Sequence, residues 1–106
     1  MMKVKNVDMV AFLNSLNDLT AKKLPVKLYF AIKLNADEFF QKVVPTYNKL
    51  EEEARSDKEK LKELLSIENE LTIQTVSRDL LEKVDESDKY DALTYQEYNA
   101  LQFMIE

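Results

Sequence analysis

The sequence predicts a mainly α-helical fold: a long central helix, kinked in its middle, packed with an N-terminal and a C-terminal helix. It leaves room for a small two-stranded β ribbon, which would make the fold α+β. Three observations carry this. The 106 residues include no Gly, so any position needing positive φ falls to Asn or Asp, which disfavours two-residue hairpins. Apolar residues recur at helical spacing through most of the chain. No repeat or Gly- and Pro-rich linker divides it, so residues 1–106 read as one helical domain, of a length that needs no disulfide or metal to hold a core.

Met2-Lys3-Val4-Lys5 alternates apolar and polar, as a short strand does. From Val7 to Leu19, the residues Met9, Leu13, Leu16 and Leu19 fall at helical steps and Phe12 widens the stripe, with Asn6 placed as N-cap. Pro25 suits the first turn of a second, longer helix, because its missing N–H has no partner there in any case. Tyr29, Ala36, Val43 and Leu50 then recur every seven residues, with Ile32 and Phe39 between them and a drifting neighbour stripe of Phe40, Tyr47, Ala54 and Leu61. Pro45 interrupts this pattern at a cost of about 3 kcal/mol, so a kink near Val44 is expected, with two separate helices as the alternative.

Ser56-Asp57-Lys58-Glu59 has the form of a capping box, from which a third helix would run through Leu61, Leu64 and Leu65. The charge run Glu51 to Glu63 is expected to be a solvated helix face. Leu71 to Val76 is β-branched at four of six positions and reads as a strand able to pair with residues 2–5. A helical turn follows at Asp79–Val84, then a polar acidic loop at 85–91. Thr94-Tyr95-Gln96-Glu97 is a second capping box, opening a helix from Tyr95 to Met104 with Tyr98, Leu101 and Ile105 on its inner side.

Composition narrows the chemistry. No Cys and no His excludes thiol nucleophiles, imidazole bases and zinc sites with N or S ligands. No Gly excludes the phosphate-cradling loops of nucleotide enzymes. The acidic loop approaches a calcium-loop spacing, but counting from Asp85 puts Tyr90 at position six and Gln96 at position twelve, where Gly and Glu are needed. The chain is therefore read as non-enzymatic, with no metal, no cofactor and no small-molecule substrate. No run of about 18 apolar residues and no apolar leader core is present, so the expectation is a soluble intracellular protein that does not enter membranes.

Charge is uneven. Residues 1–50 carry eight Lys against four acids, net +4; residues 51–106 carry seven basic groups against sixteen acids, net −9. The acidic total disfavours nucleic acid as a partner. Lys22, Lys23, Lys27 and Lys33, near Tyr29 and Phe30, form the one basic concentration; core packing is the preferred role for Tyr29. Near the C-terminus, Tyr90, Tyr95 and Phe103 are candidate partner-binding residues, because aromatics are favoured at interface centres. The competing reading places Phe103 in the core with Tyr98, and Tyr90 and Tyr95 over it.

Two stretches also carry a resemblance: Leu24-Pro25-Val26-Lys27-Leu28-Tyr29-Phe30-Ala31-Ile32-Lys33-Leu34-Asn35 ahead of an acidic helix, and Leu64-Leu65, a β-branched strand and Leu93-Thr94 opening a last helix. Their order resembles a family of small proteins of unknown function encoded by tailed bacteriophages and prophages. The resemblance implies an accessory or virion-associated protein, in the host cytoplasm or incorporated into the virion, acting through protein contacts or self-association. The alternative is an acidic inhibitor that mimics nucleic acid and blocks a host DNA- or RNA-binding enzyme.

Overall fold

A computed structural model describes residues 1–106 as six α-helices and one two-stranded sheet. In chain order these are β1 (Met2–Lys5), α1 (Asn6–Ala21), α2 (Val26–Lys42), α3 (Val44–Ala54), α4 (Lys58–Ser66), β2 (Glu68–Leu71), α5 (Arg78–Glu86) and α6 (Tyr95–Ala100), then a 3-10 turn at Gln102–Met104. The fold is mainly helical with a small antiparallel ribbon, as the sequence predicts. No helix is long and apolar enough to cross a membrane.

The core gathers where α1, α2, α5 and the C-terminal turn converge. At its centre Phe12 meets Phe39 at 5.7 Å between ring centroids and Phe103 at 5.2 Å, while Phe39 and Phe103 lie 5.6 Å apart. Tilted and edge-on rings at these spacings set the positive edge of one against the negative face of the next. Leu19, Leu28, Ile32, Leu81, Leu101 and Met104 close round them, fully buried. The radius of gyration is 14.7 Å, above the about 13 Å of a compact chain this long. The excess reflects a principal extent of 46 Å, against 26 and 19 Å across the other two axes.

Pro45 interrupts the long apolar pattern beside Val44, where the sequence places a kink or a break, and Val43 keeps a right-handed helical backbone between the two pieces. α2 ends at Lys42, Val43 lies between, and Pro45 sits in the first turn of α3. The Val43 N–H still donates to Phe39 O and the Tyr47 N–H to Val43 O on either side of Pro45, which has no N–H to give. The stretch 25–65 is thus three helices. α4 starts one residue away from the expected box: Asp57, not Ser56, is the cap, its Oδ1 accepting from the N–H groups of Glu59 and Lys60. A carboxylate there also complements the partial positive charge of the helix start.

Asn6 is not a cap either. It is the first residue of α1 and is buried, donating through Nδ2 to Leu64 O at 2.8 Å and accepting from Asn69 Nδ2 at 2.7 Å. It fastens the start of α1 to the end of α4. The second strand lies earlier than β-propensity indicates, at Glu68–Leu71 instead of 71–76. Pairing decides the matter: the register sets Lys3 opposite Glu70 and Lys5 opposite Glu68 on the outer face, and turns Val4 and Leu71 inward. The final helix is shorter than the apolar spacing indicates. α6 stops at Ala100 and the chain tightens into the 3-10 turn, which lets Ile105 bridge in parallel to Val76.

Candidate functional site

The surface most distinct from the rest is the outer face of α2. Val26, Phe30 and Leu34 follow one another at i, i+4 and i+8, and are 68%, 58% and 54% exposed; Phe40 is half exposed further along. Lys27 and Lys33 flank Phe30, and a groove of about 230 Å³ between this face and residues 74–76 is lined by Phe30, Leu34, Thr75 and Val76. The opposite face of α2 carries Leu28, Ile32, Ala36 and Phe39 into the core. The helix is therefore apolar on both sides, and only one has a partner within the chain.

α2 also holds the extended segment that follows β2. Asn35, fully buried, accepts the Gln74 N–H on Oδ1 at 2.7 Å and donates from Nδ2 to Gln74 O at 3.0 Å. Glu38 accepts the Thr72 N–H on Oε2 at 2.6 Å and pairs with Lys42. That N–H, aided by the Lys42 ammonium, holds the Glu38 carboxyl below the usual carboxylate range.

The C-terminal box is present in full. Thr94 N–H donates to Glu97 Oε1, and Glu97 N–H to Thr94 Oγ1. Burial alone would raise the Glu97 carboxyl. Its bonds from Thr94 and the Lys22 ammonium, 3.3 Å away, outweigh burial and leave it below the ordinary value.

The residues singled out in the sequence fall apart in space. Lys22 is committed to Glu97 and to Ala92 O, while Lys23 gives only its backbone N–H to the Asp91 carboxylate and keeps its side chain exposed; of the basic group, Lys27 lines the groove beside the exposed face. Phe103 packs into the aromatic centre against Phe12 and Phe39. Tyr90 lies half-buried against the core, and Tyr95 alone projects, 83% exposed. In the acidic loop, Asp85 accepts the Leu93 N–H and Asp91 that of Lys23, which gives both carboxylates structural work. Leu50, expected in the core, instead lines an open cleft of about 360 Å³ with Ala54, Leu64 and Ile67.

The face at Val26, Phe30 and Leu34 is the feature that sequence reasoning missed. Its signal was present: these three recur every fourth residue on the face of the helical wheel opposite the core residues 28, 32, 36 and 39, making more apolar positions than one core-facing stripe uses. Set against known proteins, the chain matches no family model, no curated protein and no solved structure.

Proposed function

We propose that this chain is a non-enzymatic interaction protein, a phage-type accessory or virion-associated component that works by contact with protein, its own copies included. The observation that carries the reading is the outer face of α2, where three large apolar side chains stand on one ridge more than half exposed. Contiguous apolar surface of this kind marks a docking site, and an apolar helix ridge rimmed by lysines suits a partner with apolar anchors and acidic neighbours. The acidic-mimic alternative draws no such support. In the α3–α4 hairpin, Arg55 is bonded to Glu51, and Lys58, Lys60 and Lys62 alternate with Glu59 and Glu63, so anionic charge is broken up.

The test is photo-crosslinking in the cells that make the protein and in virions purified from them. A photoreactive residue at Phe30 is expected to give protein adducts, and the same probe at exposed Glu82 on α5 none. Phe30→Asp should abolish competition for those adducts without lowering the melting temperature. Equal labelling at the two positions would sink the reading.

A further inference from the structure

We propose that this chain assembles head to tail, with the exposed ridge of α2 on one copy seated in the α3–α4 cleft of the next. This rests on the contact reading above and names the partner as a second copy.

Two apolar surfaces of the molecule are open, and they differ in shape. Val26, Phe30 and Leu34 follow one i, i+4, i+8 row of α2 and form a convex ridge. The α3–α4 cleft is concave, about 360 Å³, with Leu50 and Ala54 on one wall and Leu64 and Ile67 on the other. Ala54 and Leu64 are buried, while Leu50 is 39% and Ile67 45% exposed, so large apolar groups in the cleft still face water. The ridge stands on α2 ahead of Pro45 and the cleft lies in the hairpin beyond it. Within one molecule neither covers the other. Between molecules, a ridge and a cleft at different places on the same chain make a heterologous contact. A copy bound through its ridge still offers its own cleft, so the contact repeats.

Charge selects the second copy as occupant. Lys27 and Lys33 stand beside the ridge; Glu53 and Glu63 line the cleft, against one cation, Lys60. The salt bridges within the chain are Lys22–Glu97, Lys42–Glu38 and Arg55–Glu51, so Lys27, Lys33, Glu53 and Glu63 are all without a charged partner, and all four are exposed. The same difference in sign runs through the whole sequence. The ridge belongs to residues 1–50, net +4, and every apolar cleft residue except Leu50 to residues 51–106, net −9. Packing ridge on ridge across a two-fold axis would crowd the lysines of both copies around Phe30. Packing ridge into cleft sets ammonium against carboxylate. With Val26 towards the hairpin tip, Lys27 comes to Glu53 and Lys33 to Glu63. Three ridge side chains make a small contact, which places the affinity at the weak end and the assembly at high concentration.

The test follows from the two unlike surfaces. Light scattering from micromolar to millimolar concentration should show wild-type mass rising from 12.4 kDa past twice that value. Phe30→Asp, which spoils the ridge, and Ile67→Asp, which spoils the cleft, should each stay at 12.4 kDa while folded by circular dichroism. An equimolar mixture of the two retains one sound ridge and one sound cleft, and should form a pair that grows no further. A charge exchange repeats the test without touching the apolar walls. Lys27→Glu with Lys33→Glu, and Glu53→Lys with Glu63→Lys, should each associate at least about tenfold more weakly alone and recover when mixed. A wild-type mass fixed at 12.4 kDa, growth that halts at twice that value, or mixtures no heavier than their components would overturn the proposal. Any of these results would remove assembly through the cleft while leaving the contact reading to stand or fall on crosslinks from Phe30 to another protein.

Discussion

In the body of the molecule Phe12, Phe39 and Phe103 meet ring to ring, and Asn35, Glu38 and Glu97 each bind groups brought from distant parts of the chain. In the α3–α4 hairpin, beyond the ties at its base from Asn6 to Leu64 O and Ile67 O, the side-chain bonds span no more than four residues: Arg55 to Glu51, Asp57 to Glu59 and Lys60, Ser66 to Lys62. From Glu52 to Lys60 only Ala54 is buried. Contacts across 34 or 39 residues form only once the chain has closed those loops, so they stand or fall with the whole fold. Local contacts report only on the turn that makes them. The body should therefore answer substitutions as one cooperative unit, and the hairpin piecemeal.

The largest effect is expected at Phe12. Truncation to Ala empties the centre of the aromatic cluster and should cost about 3–5 kcal/mol, read from the urea midpoint at unchanged slope. Leu50→Ala, on the half-exposed wall of the hairpin cleft, is the matched control and should cost well under half as much. Similar losses at the two sites would erase the distinction.

Asn35→Ala comes next. The substitution strands the Gln74 N–H and C=O together, an expected loss of about 2–3 kcal/mol, with amide exchange accelerated across residues 72–76 before the rest of the fold. If exchange there rises no faster than in α1, the segment is held by its apolar side chains, and the amide clamp is incidental.

These two sites also show what the sequence made legible. β1, the first helix, the start at Pro25 and the Thr94 box rest on signals within a few residues, and each was readable. Asn35 carries no such signal. Its partner is 39 residues away, and a polar residue on a helix usually faces solvent. The second strand was misplaced for the same reason. Leu71–Val76 has the higher β-propensity, yet Glu68–Leu71 has the partner, and cross-strand charge with buried Val4 and Leu71 outweighed intrinsic preference. The apolar face of α2 was hidden differently: its residues were visible, but which of two apolar sides meets the core depends on where α1 and the C-terminal turn pack.

Acid should act on the body first. Glu38 and Glu97 are both held below 4.5 in the folded chain. A depressed carboxyl contributes stability that is present above the unfolded value and lost as pH falls through the folded one. Melting temperature should thus decline on acidification below about 4.5. The double variant Glu38→Gln, Glu97→Gln should be less stable than wild type at neutral pH and converge with it in acid. A constant gap across the titration would mean that these carboxylates act through shape and not through charge.

The smallest effect is expected at the hairpin's own cap. Asp57 bonds two amides at the start of α4, and caps of this kind contribute about 0.5–2 kcal/mol. Here the lower end applies, near 0.5 kcal/mol, because the turn is exposed and water can satisfy the freed N–H groups. Asp57→Ala should raise amide exchange at Glu59 and Lys60 and leave Phe12, Leu81 and Met104 as protected as before. Asp57→Asn, which keeps the acceptor without the charge, should restore most of the protection. If Asp57→Ala instead loosened the aromatic centre, the hairpin would be coupled to the body through its base at Asn6 and Leu64, and those buried amide bonds would transmit strain that four-residue contacts cannot.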